Sequence, residues 1–345
     1  LREALQKINM GVQIQNVALL IVVCFASAAG SQVHPDPIDL VPTPLKNYVI
    51  GFEKAENIGF GLLPSPEDLA LDREKRSFFT GCGDGWIKRV WIDGKGDKQR
   101  VENWAFVGGR PLGVALGPNQ ELIVCELTQG LLNVTKGKVE VLCSEAGGSK
   151  FKGIDGVDVS KDGVIYFTDA TLGMLIKYNP STRNSTVLLT DLDYPNGVAL
   201  SAQEDFLVIC ETYSRRCPKY WLKGKKSGKV ETYAEKLPAY PDNVRLDEEG
   251  TFWIGLLGTL TTGRDFMAKY RRLGNTLRSV SGIINPLKTK AIFGPAGILG
   301  MKDNAQVIAF FSDSQRTLIS GGLKVGDSLY FVSLNESFIN RLELL

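Results

Sequence analysis

Four side chains with hard oxygen atoms, Glu67, Asp155, Asn196 and Asp242, stand at one and the same place in a recurring strand opening. The openings are Pro66-Glu67-Asp68-Leu69-Ala70-Leu71, Ile154-Asp155-Gly156-Val157-Asp158-Val159, Pro195-Asn196-Gly197-Val198-Ala199-Leu200 and Pro241-Asp242-Asn243-Val244-Arg245-Leu246. A further copy, Pro111-Leu112-Gly113-Val114-Ala115-Leu116, carries Leu112 there. With Asn243 beside Asp242, the set Glu67, Asp155, Asn196, Asp242 and Asn243 offers only carboxylate and amide oxygens. Such donors suit a hard cation, and Ca²⁺ takes about six to eight of them. A cation would also offset the mutual repulsion of three carboxylates. Asp, Asn and Gly open strands for ordinary turn reasons too. Turn chemistry alone, however, does not impose one register on separate segments.

The chain has a single histidine, His34, ahead of the repeats. A Ser–His–Asp or Cys–His nucleophile and a histidine metal site are therefore not expected within them. Acid–base chemistry falls to carboxylates, Lys, Tyr or metal-bound water. For hydrolysis of a small-molecule substrate, Asp155 and Asp242 are the candidates to orient or deprotonate water while Ca²⁺ polarises the substrate oxygen.

The spacing says what must carry these residues. Successive ring positions are separated by 45, 43, 41 and 46 residues. A period of about 40–45 with several strands per unit is the signature of a β-propeller. Each opening leads into a second apolar strand, such as 164–168 after Lys161-Asp162-Gly163, and then into two more. A sixth unit begins near Ser320-Gly321-Gly322-Leu323 and stops one strand short. Because an unpaired edge invites aggregation, the segment 47–53 is expected to supply the missing strand. The expected fold is all-β, a six-bladed propeller over 46–345 closed by an N-terminal strand. Residues 296–312 are read as the outer strands of blade five, in preference to the start of a seventh unit. That leaves an insertion of about 259–293, whose apolar residues Phe266, Met267, Tyr270, Leu273 and Leu277 have helical spacing. Strand parity puts this helical insertion, as a lid or a rim helix, on the mouth that carries the oxygen ring.

Residues 1–30 contain the apolar run Val17–Ala26 followed by small residues. This is a secretory signal cleaved near residues 28–31, or an uncleaved anchor, and 31–45 is a linker. The sequons at Asn133, Asn184 and Asn335 agree with a glycoprotein of the secretory pathway. Without Cys24, five cysteines remain, enough for at most two internal disulfides whose connectivity stays open. The absence of a CxxC pair argues against a zinc or redox motif. A formal charge of only +2 gives no reason to expect nucleic acid or an anionic membrane as a partner. The expected form is a monomer with no membrane contact beyond the leader. Tyr194 and Tyr240, at matching places before Asn196 and Asp242, line the mouth or pack in the core.

Several motifs together resemble the plant strictosidine synthase-like family. They are Glu67-Asp68-Leu69, Gly109-Arg110-Pro111-Leu112-Gly113, Tyr194-Pro195-Asn196-Gly197-Val198, Cys210-Glu211-Thr212, Arg215-Arg216-Cys217, Lys219-Tyr220-Trp221 and Tyr240-Pro241-Asp242-Asn243-Val244-Arg245. The resemblance covers about 50–345. It implies a six-bladed propeller of the secretory pathway, often vacuolar, related to the calcium-dependent lactonase and phosphotriesterase propellers. The metal motifs of those relatives match Glu67, Asp155, Asn196 and Asp242-Asn243, with Asp155 in place of an amide. True strictosidine synthases condense an amine with an aldehyde using a glutamate at the opening of blade six, where this chain has Gly321. The loop after Phe167-Thr168-Asp169-Ala170 is also shorter than in relatives. These departures favour a metal-assisted hydrolase of small esters or lactones. Retained amine–aldehyde condensation and a non-catalytic ligand-binding propeller are the alternatives.

Overall fold

Short apolar runs, buried on both faces in the inner two strands and each broken by a turn, build six mainly antiparallel sheets around a common axis. The computed structural model describes residues 49–92, 100–258, 294–313 and 315–344. The leader, the linker and the helical insertion expected at 259–293 lie outside the described residues. No described helix is long and apolar enough to cross a membrane.

Blade one comprises Ala70–Leu71, Ser77–Gly81, Trp86–Trp91 and Val101–Phe106. Blade two is Pro111–Leu116, Leu122–Glu126, Gly130–Thr135 and Lys138–Cys143; blade three is Ile154–Val159, Ile165–Asp169, Met174–Asn179 and Asn184–Leu189. Blade four is Pro195–Leu200, Phe206–Glu211, Cys217–Trp221 and Val230–Ala234. Blade five runs Pro241–Leu246, Thr251–Leu256, Ala296–Lys302 and Val307–Asp313, which bears out the outer strands expected after the insertion. Blade six has Ile319–Val325, Ser328–Ser333 and Ile339–Glu343, and its fourth strand comes from the N-terminal side.

The closing strand is Glu56–Ile58, antiparallel to Ile339–Glu343 with Ile58 opposite Ile339. It begins beyond the segment 47–53 expected for it. Within that segment, Val49–Ile50 instead adds to blade five, parallel to Val307–Asp313. The reason lies between the two pairings. The buried Phe52 ring sits 4.5 Å from the Phe331 ring and 6.3 Å from that of Phe311. It anchors the chain in the seam between blades five and six, so closure follows only after the chain has crossed that seam.

The inner strands share an irregularity that bears on the site. In blade two Pro111 faces Glu126 and Val114 faces Val124, so three steps on one strand match two on the other. The same extra residue recurs between Ile154 and Val157, Pro195 and Val198, and Pro241 and Val244. A β-bulge bends its strand and re-aims one side chain. Here it does so at Leu112, Asp155, Asn196 and Asp242. The glycine after the ring residue answers to crowding at the axis. A Cβ on Gly113 would lie 2.3 Å from the Asp155 carbonyl oxygen, and one on Gly156 2.4 Å from that of Asn196.

Candidate functional site

The bulges of blades three, four and five turn Asp155, Asn196 and Asp242 inward at the mouth end of their inner strands, and Glu67 of blade one and Asn243 stand with them. Glu67, Asp155, Asn196, Asp242 and Asn243 are all buried. The Asn243 amide donates to Glu67 Oε1 at 2.6 Å, joining blades five and one. The Asn196 amide donates to Asp242 Oδ1, joining blades four and five. On the blade-six side, the Ser320 hydroxyl donates to the Glu67 carbonyl at 2.6 Å.

What is left over matters most. Glu67 Oε2, Asp155 Oδ1 and Asn196 Oδ1 are buried with no hydrogen-bond partner. A buried acceptor without a partner costs about 1–3 kcal/mol, so three from three blades at one axis is not a neutral outcome. Other buried carboxylates behave differently. Glu126 accepts from the backbone N–H groups of Arg110, Thr128 and Gln129 and from the Thr128 hydroxyl. Asp169 accepts from Lys152 N and Leu172 N, both at 2.8 Å. Glu211 accepts from Asp193 N and pairs with Arg216. Those three close mouth-side turns and are structural. The Asp169 contacts also complete a tight turn through Leu172 and Gly173, so the shortened blade-three loop is a finished connection.

The electrostatics follow from this crowding. Burial, then the charges of Asp155, Asp68 and Asp242, push the Glu67 carboxyl well above its usual range. Burial, with Asp68 next, raises Asp155 from 3.8 to about 7. Arg110, whose guanidinium donates to the Ser65 carbonyl at 2.9 Å, opposes both shifts.

A second charged layer holds the channel together, and the sequence reading assigned it no role. Arg245 is buried and donates to Asp68 Oδ1 at 3.0 Å, to the Val157 carbonyl at 2.8 Å and to the Val114 carbonyl at 2.7 Å. A further contact to Asp68 Oδ2 makes the pair two-pronged. Asp68 also accepts from Leu69 N and Val114 N. One guanidinium from blade five thus binds blades one, two and three. The signal was present: Arg245 takes the place held by Ala70, Ala115 and Ala199 in other openings, and those alanines leave room for it.

Other expectations fall out as follows. Tyr240 is fully buried and does not line the mouth. Tyr194, half-buried at φ 59°, has its ring 4.7 Å from that of Tyr213. Blade six carries its extra residue between Ile319 and Gly321, so Ser320 and Gly321 share the ring position and neither has a carboxylate. A Cβ on Gly321 would come within 3.3 Å of Asn243 Cβ. Two surface depressions, beside Lys88 and between blades two and three, include no ring residue.

The ring is fit to hold a divalent cation by its donor chemistry and its three orphaned oxygens. No group of three or more carboxylate, thiol or imidazole side chains among the described residues is placed to hold a metal. The donor set therefore depends on the amide oxygens as well.

A strictosidine synthase family model matches residues 170–225. The Arabidopsis thaliana protein strictosidine synthase-like 4 is 36% identical over 340 residues, covering 93% of this chain and 89% of its own length. Strictosidine synthase-like 7 from the same plant is 38% identical over 84% of this chain and 82% of its own. Among solved structures, a gluconolactonase from Xanthomonas campestris superposes with a TM-score of 0.63 at 16% identity, covering 85% of this chain and 91% of that one.

Proposed function

The chain belongs to the strictosidine synthase-like family, and from that premise we propose that it is a metal-assisted hydrolase of small esters or lactones. The observation that carries this reading is the set of three unpartnered buried oxygens, Glu67 Oε2, Asp155 Oδ1 and Asn196 Oδ1, from three blades. Glu67, Asp155, Asn196, Asp242 and Asn243 would hold the ion, and Ca²⁺ suits their oxygens. Bound there, it would supply Lewis-acid polarisation of the substrate carbonyl. The likeness to a gluconolactonase supports the reading at the level of fold.

The chain's own residues provide the rest. An ionised carboxylate beside the ion can act as a general base toward water. Asp155 accepts a proton from the attacking water as the new C–O bond forms. It returns that proton to the departing oxygen as the ester C–O bond breaks. Asn196 holds Asp242 in place through its amide. Arg110 places a positive charge beside Glu67 and Asp155. Phe106 and Leu127, exposed at the mouth-side ends of their strands, give an apolar rim suited to an uncharged substrate. The lack of a carboxylate at Ser320 and Gly321 disfavours condensation, which needs a proton acceptor there.

The test is turnover of aryl esters and aliphatic lactones by the full chain with Ca²⁺ and with chelator. Glu67→Gln is expected to lose both calcium binding and turnover. Turnover that survives Glu67→Gln refutes the reading. Calcium binding without turnover of any ester or lactone favours the binding-propeller alternative, and a product from tryptamine and secologanin favours the synthase.

A further inference from the structure

Blade four holds the one pair of cysteines that face each other on neighbouring described strands. The ladder between Phe206–Glu211 and Cys217–Trp221 pairs Phe206 with Trp221, Leu207 with Tyr220 and Val208 with Lys219. It resumes at the bridge between Glu211 and Arg216. Continuing that register sets Cys210 directly opposite Cys217. Glu211 and Arg216 exchange both backbone hydrogen bonds, Glu211 N to Arg216 O at 2.8 Å and Arg216 N to Glu211 O at 3.5 Å. The neighbouring pair is therefore a non-hydrogen-bonded one, in which Cα atoms lie about 4.5 Å apart and side chains approach most closely. That is inside the roughly 4.4–6.8 Å span a disulfide accepts. Both cysteines are completely buried.

The remaining cysteines do not compete. Cys125 and Cys143 both face Leu131 from opposite sides, so two strand spacings of about 4.8 Å separate them. That exceeds what a bridge can span. Cys82 stands in blade one with no cysteine on the neighbouring strand Trp86–Trp91.

We propose that Cys210 and Cys217 form a cross-strand disulfide that staples blade four, and that Cys82, Cys125 and Cys143 remain thiols. The two S–H bonds give up two protons and two electrons to a donor disulfide, which leaves as the dithiol of a thiol–disulfide oxidoreductase or as two molecules of glutathione. The bond forms before the strands are buried. The staple also bears on the ring. Its turn carries Thr212, whose hydroxyl donates at 2.8 Å to the carbonyl of Pro241, just before Asp242. On the other edge, Glu211 is the ladder partner of Pro195, just before Asn196.

The bond requires an oxidising compartment, so the test supplies the oxidant itself and does not depend on where the protein resides. Full-length chain is unfolded, reduced, refolded in a glutathione redox buffer, then denatured in N-ethylmaleimide without reductant and mapped by mass spectrometry. The expected result is a link between the Cys210 and Cys217 peptides, with maleimide on Cys82, Cys125, Cys143 and the leader's Cys24. Maleimide on both Cys210 and Cys217, or a link between any other pair, overturns the proposal. As a second readout, reductant is expected to lower the melting temperature by about 4 °C for a loop this short in a domain this large. The Cys210→Ser/Cys217→Ser double variant is expected to show no such response. A reductant effect of equal size in that variant also overturns the assignment.

Discussion

Calcium affinity is expected to depend on protons in a way the ring geometry specifies. A carboxylate must be ionised to bind a cation, so protons and metal compete. Asp155 has its carboxyl raised by burial to about 7. Its ionised fraction then falls from about nine-tenths at pH 8 to about one-hundredth at pH 5. Affinity is thus present above pH 7 and lost as pH falls through that value. From this group alone, the dissociation constant should rise by about 90-fold between pH 8 and pH 5, or about 2.7 kcal/mol. Glu67, shifted in the same direction, adds to the slope. The measurement is isothermal titration of the full chain with CaCl₂ at pH 5, 6, 7 and 8 at constant ionic strength. Asp155→Asn should bind more weakly at pH 8 and show a shallower slope. A dissociation constant constant to within twofold from pH 5 to 8 would refute the assignment of Asp155 as a ligand.

Further outcomes follow from the same contacts. Arg245→Met leaves Asp68 buried without its cation and should lower stability by about 3–5 kcal/mol in denaturant melts, and the double variant with Asp68→Asn should recover part of that loss. In chelator, wild-type protein should lose stability relative to Asp155→Asn as pH rises from 4 to 7: the unfolded carboxyl ionises near its ordinary value while the folded one holds its proton to about 7. Thermal melts of both proteins at each pH check this, and parallel curves would contradict the raised carboxyl. On passage through a eukaryotic secretory pathway, Asn184, exposed on the outer strand of blade three, should take a glycan. Asn133, half-buried in mid-strand with its side-chain oxygen enclosed, should not. Loss of one glycan's endoglycosidase-sensitive mass in Asn184→Gln, with no loss in Asn133→Gln, checks both.

Much of the fold was legible because each blade repeats one local solution. The recurring apolar run after the ring position announces the inner strand, and the period counts the blades. The ring residues were legible for the same reason, since a side chain at one register in separate blades must face one axis. Three things were not. The closing strand was displaced to Glu56–Ile58 because a single aromatic, Phe52, seats between two blades, and strand propensity carries no record of such a seam. Arg245 went without a role because its partners lie at Asp68, Val114 and Val157, two to four blades away in sequence. The bulge hides in the residue count, since only the second strand shows that Pro241 to Val244 spans one residue too many.

Closure by Glu56–Ile58 also sets an order of events during synthesis. Its partner, Ile339–Glu343, is the last strand of the described chain to be made. Until it emerges, blade six has no third strand, and Ser328–Ser333 and Glu56–Ile58 both lack the strand that lies between them. Joining segments so far apart costs roughly 5 kcal/mol of chain entropy, so the final pairing must be supported by the whole stack behind it. Folding of the propeller therefore ends with a cooperative locking step that waits for Ile339–Glu343 to meet Glu56–Ile58.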